Sequence, residues 1–192
     1  KVLDLCAGSG IQGICAANKA NSVTLVEINH KTIPFTKFNI VLNNVEDKVR
    51  VKEGSLYENL GNTTFDEIYV NPPFIAVPQD WNFPIAGNGG ENGLEITLNI
   101  IRGYKRHLNI NGRAYMVGEA IGTEKEPFLI DELRTELGND FKITVILDFK
   151  FSIEAHLRRS SYVAINMGKM NGKNADELFE KYKDWIKKVN AT

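Results

Sequence analysis

Lys1-Val2-Leu3-Asp4-Leu5-Cys6-Ala7-Gly8-Ser9-Gly10 runs from a short apolar stretch holding one acid into a turn of small residues, then into the helix-like Ile11 to Ala20. That order is a strand-turn-helix signature. Gly8 and Gly10 let the backbone adopt positive φ and let a ligand come close without meeting a Cβ. The helix that follows would turn unpaired N–H groups into the same space. The turn therefore reads as a ligand cradle.

Two nucleotide-type ligands suit such a turn. Gly8-x-Gly10-x-x-Gly13, with the acid Glu27 ending the next strand, satisfies the dinucleotide fingerprint. Asp4 points the other way. A pyrophosphate has no use for a carboxylate inside the first strand, and an unpaired buried charge costs several kcal/mol or more. A cationic ligand group would offset that cost. S-adenosylmethionine carries an ammonium at one end and ribose hydroxyls at the other, matching Asp4 and Glu27 in turn.

The composition is that of an ordinary globular domain, with 43% hydrophobic and 24% charged residues in 192. No apolar run reaches membrane-spanning length and no signal peptide is visible, so a cytoplasmic protein without membrane association is expected. The first residue is Lys rather than Met and stands at the edge of the first strand, so further sequence upstream is expected. Cys6 and Cys15 lack paired metal-ligand spacing and read as reduced packing residues; no metal is expected. A net charge of −1 supplies no basic surplus for a nucleic-acid backbone.

Along the chain, Ser22 to Glu27 reads as a second strand, and Asn29 as the cap of a helix reaching Asn43, with Ile33, Phe38, Val41 and Leu42 apolar. Val49 to Glu53 and Phe65 to Val70 read as strands three and four. Ile75 to Asn92, rich in Pro, Gly and Asn, reads as an irregular binding loop. Leu94 to His107 and Glu126 to Leu137 read as helices, with a strand from Arg113 to Gly118 between them. Phe141 to Asp148 and Ser161 to Met167 read as two last strands joined by residues 149–160. Ala175 to Val189 reads as an amphipathic helix burying Leu178, Tyr182, Trp185, Ile186 and Val189. The alternation predicts an α/β, doubly wound, mostly parallel sheet. His30 and His107 read as solvated helix residues, and His156, beside Arg158 and Arg159, is left open, contact with substrate being one reading.

Ligands of open α/β sheets bind beyond the carboxyl ends of the strands. Gly8, Glu27, Ser55 and Asn71 each follow such an end, so they are expected on one rim. Asn71-Pro72-Pro73-Phe74 adds chemistry there. The prolines hold the backbone extended and withhold their own N–H groups. What remains is a rim of acceptors, the Asn71 side-chain oxygen and the Pro72 carbonyl, suited to orienting an –NH2 group. Phe74 could lie flat against a planar amide or base.

VLDLCAGSG, VEIN and NPPF, in this order and spacing, resemble the motifs of class I S-adenosylmethionine-dependent methyltransferases that methylate amino groups. GGENGLEITLNII, Gly89 to Ile101, is more narrowly similar to the release-factor glutamine methyltransferases, the HemK-type family. The resemblance covers about residues 1–167. It implies a Rossmann-like seven-stranded sheet with the last strand antiparallel, S-adenosylmethionine as cofactor, and a protein glutamine as methyl acceptor. In the site that it implies, Asp4, Gly8 and Gly10 surround the methionine part, and Cys6, Ala7 and Ile28 also count as cofactor-binding. Glu27 meets the ribose and the Gly54-Ser55-Leu56 turn the adenine, while Asn71, Pro72 and Phe74 are the candidate catalytic residues, Asn71 touching the cofactor as well. In two places this chain departs from the family: Ser55 stands where an acid usually holds the adenine amino group, and the helical substrate-binding domain before the first strand is not in this chain. An RNA or DNA base, or a small metabolite, is the alternative acceptor. A nicotinamide-dependent oxidoreductase and a non-catalytic binding module are the remaining rivals.

Overall fold

The computed structural model describes residues 1–148, 150, 152–166 and 175–188. The chain divides into two compact units, Lys1–Pro72 with Arg102–Gly118, and Pro73–Ile101 with Glu119–Thr192.

The first unit carries the sheet. Its strands are β1 (Val2–Leu5), β2 (Val23–Glu27), β3 (Val49–Glu53), β4 (Phe65–Val70) and β5 (Leu108–Met116), in the order β3-β2-β1-β4-β5, with every pairing parallel. The order changes direction between β1 and β4, the place where open α/β sheets hold ligands. β1 is buried along its whole length, and Leu3, Leu5, Leu25, Ile68 and Val70 are inaccessible or nearly so. That burial explains why these strands read as near-continuous apolar runs.

Helix α1 (Ile11–Ala16) follows the glycine turn and packs on β1 and β2. Gly13 is what lets it sit so close. A Cβ there would lie 2.1 Å from Leu25 Cδ2 and 3.1 Å from Val23 Cγ1. The third glycine of the fingerprint is thus explained by packing and says nothing about the ligand. Gly13→Ala is expected to destabilise the domain by about 1–3 kcal/mol, because fully buried Leu25 has nowhere to go; urea denaturation with an unchanged m-value would check it.

Helix α2 (Ile33–Leu42) starts after its N-cap Thr32, three residues beyond the reading that placed the cap at Asn29. Its buried positions are Ile33, Thr36 and Ile40, at helical spacing. Phe38, Val41 and Leu42, expected as apolar helix positions, are exposed. β5 begins at Leu108 rather than Arg113: Asn111 takes φ 67° inside the strand, and the register with β4 shifts between Phe65 and Glu67. The Asn-Gly pair is absorbed as an irregularity in the strand instead of preceding it.

The division between the units falls inside α3 (Glu95–His107). The second unit then holds α4 (Phe128–Leu137), a 3-10 turn (Gly138–Asp140), α5 (Ile153–Asn166) and α6 (Ala175–Lys188). Its core gathers Trp81, Phe83, Ile121, Leu157, Ala164, Leu178, Tyr182 and Ile186. The stripe of α6 is therefore core, as its spacing implied; Val189 lies outside the described residues.

The seven-stranded sheet with an antiparallel last strand is not what the structure has: among the described residues there are five strands, all parallel. Residues 142–148 form no regular structure, and Val145, Ile146 and Leu147 are exposed. Ser161 to Asn166, expected as a strand, forms the end of α5; Met167 lies outside the described residues. The reason is visible in the burial. Leu157, Ser160, Ser161 and Ala164 are inaccessible at three-to-four spacing, and Ser152 Oγ accepts the Ala155 N–H at 3.2 Å as a helix cap. The β-branched end was read without the helical half before it.

Candidate functional site

Parallel pairing sets the carboxyl ends of β1 to β4 side by side. Leu5 is in register with Val26 and Val70, and Glu27 with Glu53. The turns after these ends therefore share one edge of the first unit: Cys6–Gly10, Glu27–Ile28, Gly54–Leu56 and Asn71. Backbone bonds stitch them together, Ala7 N–H donating to the Val26 carbonyl at 3.0 Å and Gly54 N–H to the Glu27 carbonyl at 3.0 Å. The rim expected from the sequence is present.

The glycine turn is held open by its neighbours. Cys6, Gly8 and Gly10 all take positive φ, at 57°, 53° and 84°. A Cβ on Gly8 would meet no atom within 4 Å, so space lies over the turn. Glu27, buried at the end of β2, accepts the Gly8 N–H at 2.7 Å on one oxygen and the Asn29 N–H at 2.7 Å on the other. Thr36 Oγ1 lies 2.7 Å from the Gly8 carbonyl, and Asn39 Nδ2 donates to the Ser9 carbonyl at 2.9 Å. Thr36 and Asn39, on α2, went unread in the sequence. Their signal was weak: two polar residues at i, i+3 on a helix otherwise judged by its apolar positions.

Asp4 is wholly inaccessible. One of its oxygens accepts the Gly13 N–H at 2.8 Å, so this amide of α1 is taken rather than left open. Among the described residues no cation pairs with it. Burial raises its carboxyl to about 7, against the Gly13 hydrogen bond that lowers it and with Glu27 adding to the rise. A positive charge brought close to this carboxylate would relieve the penalty. Burial, then Glu27 and Asp4, push the Cys6 thiol up to about 12, so Cys6 is a neutral, half-buried residue and no nucleophile. Cys15, expected as packing, is exposed.

Ile28 is exposed after Glu27. Ser55 and Leu56 are half-buried, Leu56 at φ 45°, with the Ser55 N–H on Glu58 at 3.2 Å. The next residue, Tyr57, stacks on His107 with ring centroids 4.6 Å apart and 7° between planes. Gly103 makes room for it, since a Cβ there would lie 2.1 Å from the Tyr57 ring. His107, read as solvated, is instead buried, its Nδ1 2.8 Å from the Thr63 carbonyl. His30 is exposed as expected.

Asn71 is exposed at the end of β4 and Pro72 is buried beneath it. Phe74 belongs to the second unit, where its backbone meets the Gly-Gly-Glu-Asn-Gly-Leu stretch. Ile75 N–H donates to Gly87, Gly89 N–H to Ile75 and Val77 N–H to Gly90, each at 2.9 Å. A Cβ on Gly89 would lie 2.8 Å from Phe74 Cα, and one on Gly93, at φ 74°, 2.5 Å from the Phe74 carbonyl oxygen. These glycines let loop 87–93 lie flat on the segment after Pro73. Gly93→Ala adds a backbone clash to a left-handed residue, so about 1–2 kcal/mol of destabilisation is expected, visible as a lower Tm.

A cavity of about 740 Å³ lies at the opposite, amino end of the strands, beside Lys1, Gln12, Cys15, Asp66 and Tyr69. It holds none of the rim residues. Among the described residues no cluster of His, Cys, Asp and Glu is set to hold a metal, and no helix is long and apolar enough to cross a membrane.

Comparison with known proteins bears on this site. The ribosomal protein uL3 glutamine methyltransferase of Francisella tularensis subsp. tularensis is 31% identical over 121 residues, 58% of this chain and 38% of the relative. The release factor glutamine methyltransferase of Clostridium acetobutylicum is 32% identical over 146 residues, 69% of this chain and 51% of the relative. The chain thus spans about half or less of the length of these relatives. A ribosomal protein L11 methylase structure from Lactobacillus delbrueckii subsp. bulgaricus shares the fold, with a TM-score of 0.52 at 22% identity over 76% of this chain and 64% of that one. The family profile described as "Methyltransferase small domain" matches residues 1–139, the stretch that contains every rim residue above, and the chain belongs to that family.

Proposed function

We propose that this domain methylates the side-chain amide nitrogen of a glutamine in a protein, with S-adenosylmethionine as methyl donor. The observation that carries it is the single rim on which an open glycine turn, the carboxylate of Glu27 and Asn71 fall, with the buried Asp4 carboxyl in the strand just before the turn. The glutamine methyltransferases among its relatives support the acceptor, and act on a ribosomal protein and on release factors as their names state. A cytoplasmic place follows from such partners.

The residues present fit the donor. Space over Gly8, and the Asp4 carboxyl, which accepts the Gly13 N–H and Gln12 Nε2 but meets no cation among the described residues, suit its ammonium end, with Cys6, Ala7 and Gly10 completing the turn. Each oxygen of Glu27 accepts one backbone N–H and keeps a lone pair for a ribose hydroxyl, beside Ile28. Ser55 and Leu56 would flank the base. When bound, the donor supplies an electrophilic methyl group on a sulfonium.

The chain's part is positioning. Asn71 Oδ1 and the Pro72 carbonyl accept the two amide hydrogens of the glutamine and set its nitrogen for in-line attack, an alignment that can be worth about 7–11 kcal/mol. Accepting those hydrogens also draws charge onto the nitrogen. The proton released on methylation passes to water, so no base of shifted pKa is required. Incubating the full-length protein with methyl-labelled donor and a cell extract should label a protein at glutamine. Label in RNA, DNA or a small metabolite, or NADH stabilising the fold in place of S-adenosylhomocysteine, would overturn the proposal.

A further inference from the structure

Helix α2 reads IPFTKFNIVL, with Lys37 as its one charged residue. A helix that is apolar all round is ordinarily buried all round. This one is buried on one side. Ile33, Thr36 and Ile40 are inaccessible or nearly so, while Phe35, Phe38, Val41 and Leu42 are 68%, 63%, 60% and 64% exposed. At 3.6 residues per turn the four exposed side chains fall within about 120° of one another, away from the buried three. The edge of the helix that carries Asn39 is already used, because Asn39 Nδ2 donates to the Ser9 carbonyl. What remains is a continuous apolar stripe that no described residue covers.

Its size points to an interface. An aromatic side chain brings about 150–250 Å² to a contact, so two exposed phenylalanines with a valine and a leucine amount to roughly 500 Å². That is near the upper end of the largest patch on a typical monomer, about 300–600 Å². Two such stripes laid face to face bury roughly 1,000 Å², the size at which specific interfaces begin.

The sequence of the stripe suits a copy of itself. In a two-fold contact the residue on the axis meets its own counterpart. Phe38, in the middle of the stripe, is neutral, and two rings gain from offset stacking. With the helices antiparallel about Phe38, Phe35 of one copy opposes Val41 of the other. The charges at the two ends then match. Lys31 stands just before α2, and Glu46 and Asp47 shortly after it; all three are exposed and make no ion pair among the described residues. Antiparallel packing brings Lys31 of each copy to the Glu46-Asp47 end of the other, twice over. A parallel pair would set like charges together, which is unfavourable.

We propose that α2 is the interface of a homodimer, in which a second copy of this chain lays its own α2 antiparallel on the stripe of Phe35, Phe38, Val41 and Leu42. The inference goes beyond the methyl-transfer reading and does not depend on it.

Sedimentation equilibrium of the full-length protein is the test, and a reversible dimer in the micromolar range is expected. Phe38→Glu sets two carboxylates against each other on the axis, and should raise the dimer Kd by at least about 100-fold. Because the side chain is exposed, Tm of the monomer should stay within about 2 °C. Lys31→Glu should weaken the dimer by about fivefold, through two exposed pairs. Adding Glu46→Lys to that variant should restore most of the affinity, a rescue that follows only if the two residues meet across copies. A full-length protein that stays monomeric at high micromolar concentration overturns the inference, whether another segment of the chain or a different protein then covers α2. So does a dimer that Phe38→Glu leaves intact, or a charge swap that restores nothing.

Discussion

Asn71→Ala should lower kcat by roughly 100-fold or more while leaving the Kd for S-adenosylhomocysteine unchanged, because a misplaced acceptor costs alignment rather than donor binding. The side chain is exposed on the rim, so its removal leaves the core intact and the loss can be read as chemistry. Asn71→Asp keeps one acceptor oxygen but adds charge, and should retain more activity than alanine. Single-turnover rates beside calorimetric Kd values separate the two effects. An alanine variant that methylates at the normal rate removes Asn71 from the site.

Asp4 makes the second large prediction, through pH. Its carboxyl is at about 7 in the fold against 3.8 ordinarily, chiefly through burial. Between these values the folded state holds a proton that the unfolded state has lost, so stability falls as pH rises through this window. The loss, on the order of 4 kcal/mol, is complete once pH passes the folded value. A bound ammonium reverses the balance by favouring the carboxylate. S-adenosylhomocysteine should therefore bind about tenfold more tightly at about pH 8 than at about pH 6. Asp4→Asn should bind it at least about tenfold more weakly and abolish that dependence. It should also flatten stability across the same window. Unchanged affinity in Asp4→Asn would reduce Asp4 to an anchor for the Gly13 amide.

The sequence was most legible where one signal had one physical cause. A buried parallel strand is mostly apolar, and a turn at φ 53° and 84° favours glycine, so β1, β2, β4 and the Gly8 to Gly10 turn were readable. Asn71-Pro72 was equally plain, because two prolines leave few conformations. Ser161 to Asn166 was misread because its residues favour a strand locally while the helix is stabilised by burying Leu157 and Ala164 together. Phe141 to Asp148 alternates like a strand yet has no strand partner among the described residues, and pairing is not a local property.

Composition and local pattern alone determined the α/β class, the order of the first four strands along the chain, the rim on which Gly8, Glu27, Ser55 and Asn71 fall, and the family that their motifs resemble. Tertiary structure alone decided that Asp4 is spent partly on the Gly13 amide, that Thr36 and Asn39 brace the glycine turn, and that His107 and His156 are buried. The difference is one of range. Backbone conformation and amphipathic period act over a few residues and are written in order along the chain. A hydrogen bond such as Tyr182 to Ala76 joins residues more than one hundred positions apart. Its partners are chosen by packing, and no local pattern records that choice.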